Sequence, residues 1–288
     1  MIRILKIIIL LELVFFQAHA QKYYIKHYDE SDGCPRKLIV GLNQDKDGYL
    51  WLSLSGHGLM RFDGYDFELF DTKNKNQHII EIFKDRKQNL RLGSYKGVLN
   101  LTENKIFTDS FTDSSFYARS FYQPNDSMTY MGSEFGKLAV YKDSALILEK
   151  KIGSRIGDIK GDNKGNIWFS TVKNEVWRYN QNGFKRFVFD PSSEDEQVWA
   201  IQIINNQVVA STLNQIRVFK DNKFVKWEYA EKLYKPYANY MFNDSRGRTW
   251  FLHLDAISIW DRGKLTVLKE TNFSGMGLVT VFEDASGN

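Results

Sequence analysis

The chain has 288 residues, of which 43% are hydrophobic, 26% charged and 15% aromatic, with a formal net charge of +4. That composition supports a packed core and excludes a disordered or low-complexity chain. The charge is small and no like-charge run of five or six occurs, so nothing argues for nucleic-acid binding.

The first twenty residues stand apart. Arg3 and Lys6 precede a mostly apolar run over residues 7–16, and Ala18-His19-Ala20 then offers small residues where a signal peptidase reads. This order predicts a secretory signal over residues 1–20, cut before Gln21. Glu12 interrupts the apolar run, and a buried N-terminal element or a retained anchor is the alternative. Removal of Arg3, Lys6 and Glu12 lowers the net charge by one. No second stretch of about 18 apolar residues follows, so the mature chain is not expected to span a membrane. Cys34 is the single cysteine, which rules out an internal disulfide.

Along the rest of the chain a frame recurs. Asp-x-x-Gly-x-x-Trp appears as DKDGYLW (Asp45 to Trp51), DNKGNIW (Asp162 to Trp168) and DSRGRTW (Asp244 to Trp250). Worn copies fill the gaps, so the anchors run Asp45, Asp85, Pro124, Asp162, Ile203, Asp244 and Asp284, in steps of 38 to 41 residues. Two positions after the Trp slot stands Ser53, Gly93, Gly132, Ser170 or Ser211, with Leu252 the exception. An apolar run precedes each frame, as in LIVGL (Leu38 to Leu42) or IIEIF (Ile79 to Phe83). Further apolar stretches end near Phe62, Leu101, Tyr141, Tyr179, Phe219 and Trp260, followed by turns and runs such as KLTVL (Lys264 to Leu268).

Each unit thus reads as four short strands and three turns. Only EYAEKLY (Glu228 to Tyr234) suggests a helical turn or two. Four strands in about 40 residues predict an all-β fold, a β-propeller of four-stranded blades. Six blades are whole and a seventh begins, which predicts an incomplete propeller with exposed faces. In this reading Asp and Gly close the first hairpin of each blade: Gly48, Gly165 and Gly247 accept positive φ, and Asp bonds its own backbone. Trp51, Trp168 and Trp250 then fill the wedge between neighbouring blades as structural core.

The stretch QDKDGYLWLSLSGHGLMRFDGYDFELF (Gln44 to Phe70) resembles the two-component regulator propellers, periplasmic sensor regions of hybrid two-component sensor histidine kinases common in Bacteroidetes. The preceding YYIKHYDESDGCPRKLIVGLNQD (Tyr23 to Asp45) is similar to the family's opening. The resemblance covers residues 21–288, strongest in the first blade. It implies a sensor domain over 21–288 without chemistry of its own, an oligosaccharide or other nutrient as ligand, and transcriptional control through a kinase or regulator further along a longer protein. It also implies a homodimeric receptor tied to the inner membrane by those later parts, with Tyr23 to His27 as the outer strand of a closing blade.

Chemical motifs are scarce. Asp45-x-Asp47-Gly48 lacks the later ligands of a calcium loop, with Gly56 where the closing Glu belongs. The histidines share no metal spacing, and no nucleophile elbow, phosphate loop or HExxH occurs. No catalytic residue, metal or cofactor is therefore expected. The best binding candidates lie on the variable hairpins between second and third strands, SGHG, SYKG, SEFG and TVKN, because variable turns on a rigid scaffold carry recognition. They supply His57, Tyr95, Lys96, Glu134 and Lys173. The alternative readings are a secreted propeller enzyme like the streptogramin lyases, whose repeats also carry a Gly-x-x-Trp frame, or a non-catalytic secreted propeller that binds proteins.

Overall fold

The computed structural model describes residues 25–70, 78–102, 105–108, 115–193, 195–269 and 280–288. The proposed signal, residues 1–20, lies outside them. The chain divides into two compact units, Met1–Arg36 and Lys37–Asn288. In the first, a short 3-10 turn, Glu30–Asp32, is capped by Asp29, whose side chain accepts from the Ser31 N–H. Tyr23 and Tyr24 lie outside the described residues, and residues 25–27 belong to no strand, so the expected outer strand is not formed there.

The second unit is a β-propeller of six four-stranded antiparallel blades. Every blade is a meander: strands are hydrogen-bonded in chain order and reached by hairpins. The expected first strands form at Ile39–Gln44, Ile79–Lys84 and Ala200–Ile204, and the last strands at Phe67–Phe70, Gly183–Val188 and Lys264–Leu268. The one expected helical turn is a 3-10 turn, Ala230–Lys232. Among the described residues no helix is long and apolar enough to cross a membrane.

The core lies between blades. Trp51 packs with Leu59, Ile79, Ile82 and Leu92 in the wedge of blades one and two, and Trp168 with Val198, Ile201 and Val208 between blades four and five. The small residue two places after the Trp slot keeps this wedge narrow. A methyl on Gly93 would collide with the Ala118 carbonyl oxygen of the next blade, and one on Gly132 with the Ile156 side chain. At the same position Ser211 bonds the backbone of Ala238 in the following blade, donating to its carbonyl and accepting from its N–H at 2.8 Å.

Trp250 corrects the uniform reading of the three tryptophans, because it is half-buried rather than core. Among the described residues no seventh sheet stands beyond blade six. Residues 280–288 lie there instead and bridge the ring. Glu283 accepts from Ser245 N–H of blade six at 2.7 Å, and Ala285 N–H donates to Gln44 Oε1 of blade one at 2.8 Å. Asp284 folds the same turn as the other frames, accepting from the N–H groups of Ser286 and Asn288. Residues 280–288 thus link blade six to blade one at the rim.

The frame itself has a bonding logic. In each complete copy the Asp accepts from N–H groups two and four residues on, which closes the turn, and its second oxygen takes the Trp indole N–H. That bond is 2.7 Å for Trp51 to Asp45, 2.8 Å for Trp168 to Asp162 and 2.8 Å for Trp250 to Asp244. In worn blade two Arg91 takes the Trp slot and its Nε stands 3.3 Å from Asp85. In blade five Asn205 and Asn206 replace the frame with a two-residue turn at φ 49° and 63°, a conformation asparagine tolerates.

Candidate functional site

The first strands line a central channel of about 1270 Å³, with residues 280–285 completing its wall. Strand direction fixes its two ends. Each first strand starts beside the hairpin joining second and third strands and finishes at the Asp frame. The hairpins carrying the five sequence candidates therefore surround one mouth.

Charged side chains sit inside, from strands that are otherwise apolar. Glu81, Asp158, Trp199 and Tyr240 each stand four residues before their blade's anchor, and all four line the channel. Asp158 is the hub. It accepts from Lys160 Nζ at 2.8 Å and from the Ile201 N–H of blade five at 3.3 Å. Burial raises the Glu81 carboxyl, with the Asp158 charge adding, to about 8 against the partial relief of Lys160 and Arg119. Burial lowers the Lys160 ammonium, but Asp158, Tyr240 and Glu81 outweigh it and its pKa lies above the ordinary value. Burial pushes the Tyr240 phenol up to about 12. Near neutral pH the floor is thus an ion pair beside a largely protonated carboxyl and a neutral phenol.

At the mouth, Glu134 lies between two arginines. Arg119 Nη1 is 3.2 Å from one carboxylate oxygen and Arg155 Nη1 is 3.5 Å from the other. The Arg155 guanidinium also faces the Trp199 ring at 5.5 Å. Beside them runs an aromatic row: Tyr95 meets Tyr117 at 3.8 Å between centroids, and Tyr117 meets Phe135 at 6.0 Å. Tyr95 and Phe135 remain exposed. Burial, then the hydrogen bond and charge of Tyr95, raises the Tyr117 phenol, with Glu134 adding and Arg119 opposing.

Of the five candidates, Glu134 and Tyr95 come together through Tyr117. His57, Lys96 and Lys173 are exposed turn residues away from the channel lining. His57 Nδ1 lies 2.8 Å from its neighbour's carbonyl, that of Ser55, and the N–H groups of Lys96 and Lys173 bond Ser94 and Thr171. Sequence reasoning missed Arg119, Arg155, Trp199 and the channel charges. The signal was present: a charge within an apolar first strand, as in IIEIF and IGDIK, must face a polar interior or a partner. Among the described residues no three His, Cys, Asp or Glu side chains converge as metal ligands.

No protein-family profile and no curated protein matches the chain. Solved structures do. The extracellular domain of a hybrid two-component system of B. thetaiotaomicron superposes with a TM-score of 0.69 at 15% identity, over 89% of this chain and 37% of that one. A second such domain from the same organism gives 0.61 at 17% identity, over 77% and 33%. Virginiamycin B lyase from Staphylococcus aureus gives 0.63 at 11% identity, over 81% and 84%. At these identities the likeness establishes the fold. The first two neighbours are of the kind the Gln44 to Phe70 stretch resembles, and this chain spans about a third of their length.

Proposed function

We propose that residues 21–288 form the ligand-sensing propeller of an exported two-component signalling protein. It binds an oligosaccharide or other nutrient at the channel mouth and performs no chemistry on it. The observation that carries this reading is the mouth itself: exposed aromatic rings and Glu134 on hairpins that the repeat frame leaves free to vary stand beside Arg119, Arg155 and Trp199 at the beginning of first strands. The first-blade motif and the two extracellular neighbours support the sensor class. Signal output is assigned to kinase or regulator parts of a longer protein, with the propeller in the periplasm and two receptor copies paired. Binding shifts the receptor only so far as the ligand prefers one of its states.

The test is a thermal-shift screen of the exported chain against defined oligosaccharides, followed by mass spectrometry of any ligand found. A saturable rise in melting temperature with the ligand recovered unchanged is expected. A ligand converted during incubation would instead favour an enzyme of the lyase type, and a screen without any binder would remove the sensing reading.

A further inference from the structure

We infer that the ligand is acidic, an oligosaccharide whose carboxylate or sulfate sits on Arg155 and Arg119 at the channel mouth. This inference rests on the sensing reading above and gives it a chemical class.

Two guanidinium groups share the single carboxylate of Glu134. Neither bond is good: Arg155 reaches Glu134 only at 3.5 Å, and Arg119 approaches to 3.2 Å without hydrogen-bond alignment. Arg155 Nε is buried and has no hydrogen-bond partner. A buried unpaired donor is costly, and a guanidinium offers its donors as a fixed fork that matches a planar or tetrahedral oxyanion. Burial lowers the Arg155 pKa, the Arg119 charge lowers it further, and Glu134 compensates only in part. The mouth therefore holds a surplus positive charge in a partly desolvated place.

The rest of the channel draws on that charge only in part, through the relief that Arg119 gives Glu81. Lys160 is paired with Asp158 deeper in, and Glu81 is largely protonated near neutral pH. Among the described residues the carboxylate that pairs with these two arginines is Glu134, which they share. The neighbouring surfaces suit a sugar. Trp199 packs its ring against Arg155 and is 37% exposed, and Phe135 and Tyr95 show free faces nearby. Aromatic faces take the apolar side of a pyranose while the fork takes its acid group. Arg119, Arg155 and Trp199 all line the cavity, so the anion and the sugar body fit one pocket.

The experiment is isothermal titration of the exported chain with three probes: a galacturonate trisaccharide, a sulfated galactose disaccharide that carries no carboxylate and a neutral galactose trisaccharide. One of the two acidic probes is expected to bind, and which one separates carboxylate from sulfate. Arg155→Gln should weaken it by about 10-fold or more, the loss of a charge-assisted bond. Glu134→Gln should do the opposite and tighten it several-fold, because it frees both arginines; a merely structural triad would lose affinity in both variants. If Arg155→Gln does not fold, Arg155→Lys keeps the charge without the fork and should also weaken binding. Binding of the neutral probe alone, or equal losses in both variants, overturns the inference while the sensing reading stands. If none of the three probes binds, the inference falls, and the sensing reading falls only if the broader screen is empty too.

Discussion

Trp168 and Trp250 hold the same place in the same frame, in blades four and six. Each donates its indole N–H to its own Asp at 2.8 Å. Yet Trp168 is 2% exposed and Trp250 is half-buried. Blade five packs against Trp168 with Val198, Ile201 and Val208, whereas blade six faces residues 280–288. The difference separates two things that the repeat makes look like one. The Asp–Trp bond is local and needs only the hairpin. The burial is tertiary and needs the next blade.

The largest expected effect follows from the tertiary part. Trp168→Ala should cost about 3–5 kcal/mol, the range for truncating a buried aromatic. Trp250→Ala should cost about 1–2 kcal/mol, because the side chain is only half-buried. Denaturant melts of both variants check this. Equal losses would show that residues 280–288 cover Trp250 in solution as fully as a blade would.

A second contrast between blades five and six involves titration. Thr212 and His253 both stand nine residues after their anchors. Thr212 reaches across its turn to the Gln215 carbonyl, whereas His253 is fully buried between the Tyr237 carbonyl and Ser258 Oγ. Burial lowers its pKa to about 4. Its unfolded value is near the ordinary 6.5, so the unfolded chain binds more protons between those values and stability falls as pH drops through that window. Glu81, raised to about 8, has the opposite sign: stability falls as pH rises from about 4.5 to 8. The two slopes offset one another in the native chain. Glu81→Gln should therefore raise stability at pH 8 and leave a clear loss of about 2–3 kcal/mol on acidification from pH 7 to 4. A flat profile in that variant would mean that His253 is not held neutral.

These contrasts mark what was legible in the sequence. The frame, its spacing and its turn glycines were, because hairpin chemistry is local: Gly48, Gly165 and Gly247 all adopt positive φ. The six blades followed from the beat. The indole bond was not legible, since a six-residue separation says nothing of which way a carboxylate points. The channel site was only half legible. Tyr95 and Glu134 stand on variable hairpins and could be named, but Arg119, Arg155 and Trp199 lie at the beginning of first strands, where apolar neighbours disguise them. Their convergence is a product of the stacking of three successive blades, which brings together residues up to 80 positions apart.

The smallest expected effect tests the local part alone. Asp162→Asn and Asp244→Asn both keep a side-chain oxygen for the turn N–H groups. Both place an amide where the carboxylate oxygen now accepts from the indole. Partial burial raises each carboxyl, but the bonds from the indole and the turn outweigh it and hold both acids below the usual carboxylate range. Asn166 supplies a further bond in blade four, and the Arg248 guanidinium does so in blade six at 2.5 Å. Each substitution should therefore cost about 1–2 kcal/mol, the value of a hydrogen bond to a charged group. The two costs should lie within about 1 kcal/mol of one another although the rings differ so much in burial. Chemical denaturation of the two variants measures both. If Asp244→Asn proves nearly silent while Asp162→Asn is costly, the bond draws its strength from the surrounding core. Locality would then be wrong, and the frame would be a product of blade packing rather than a device that each hairpin carries for itself.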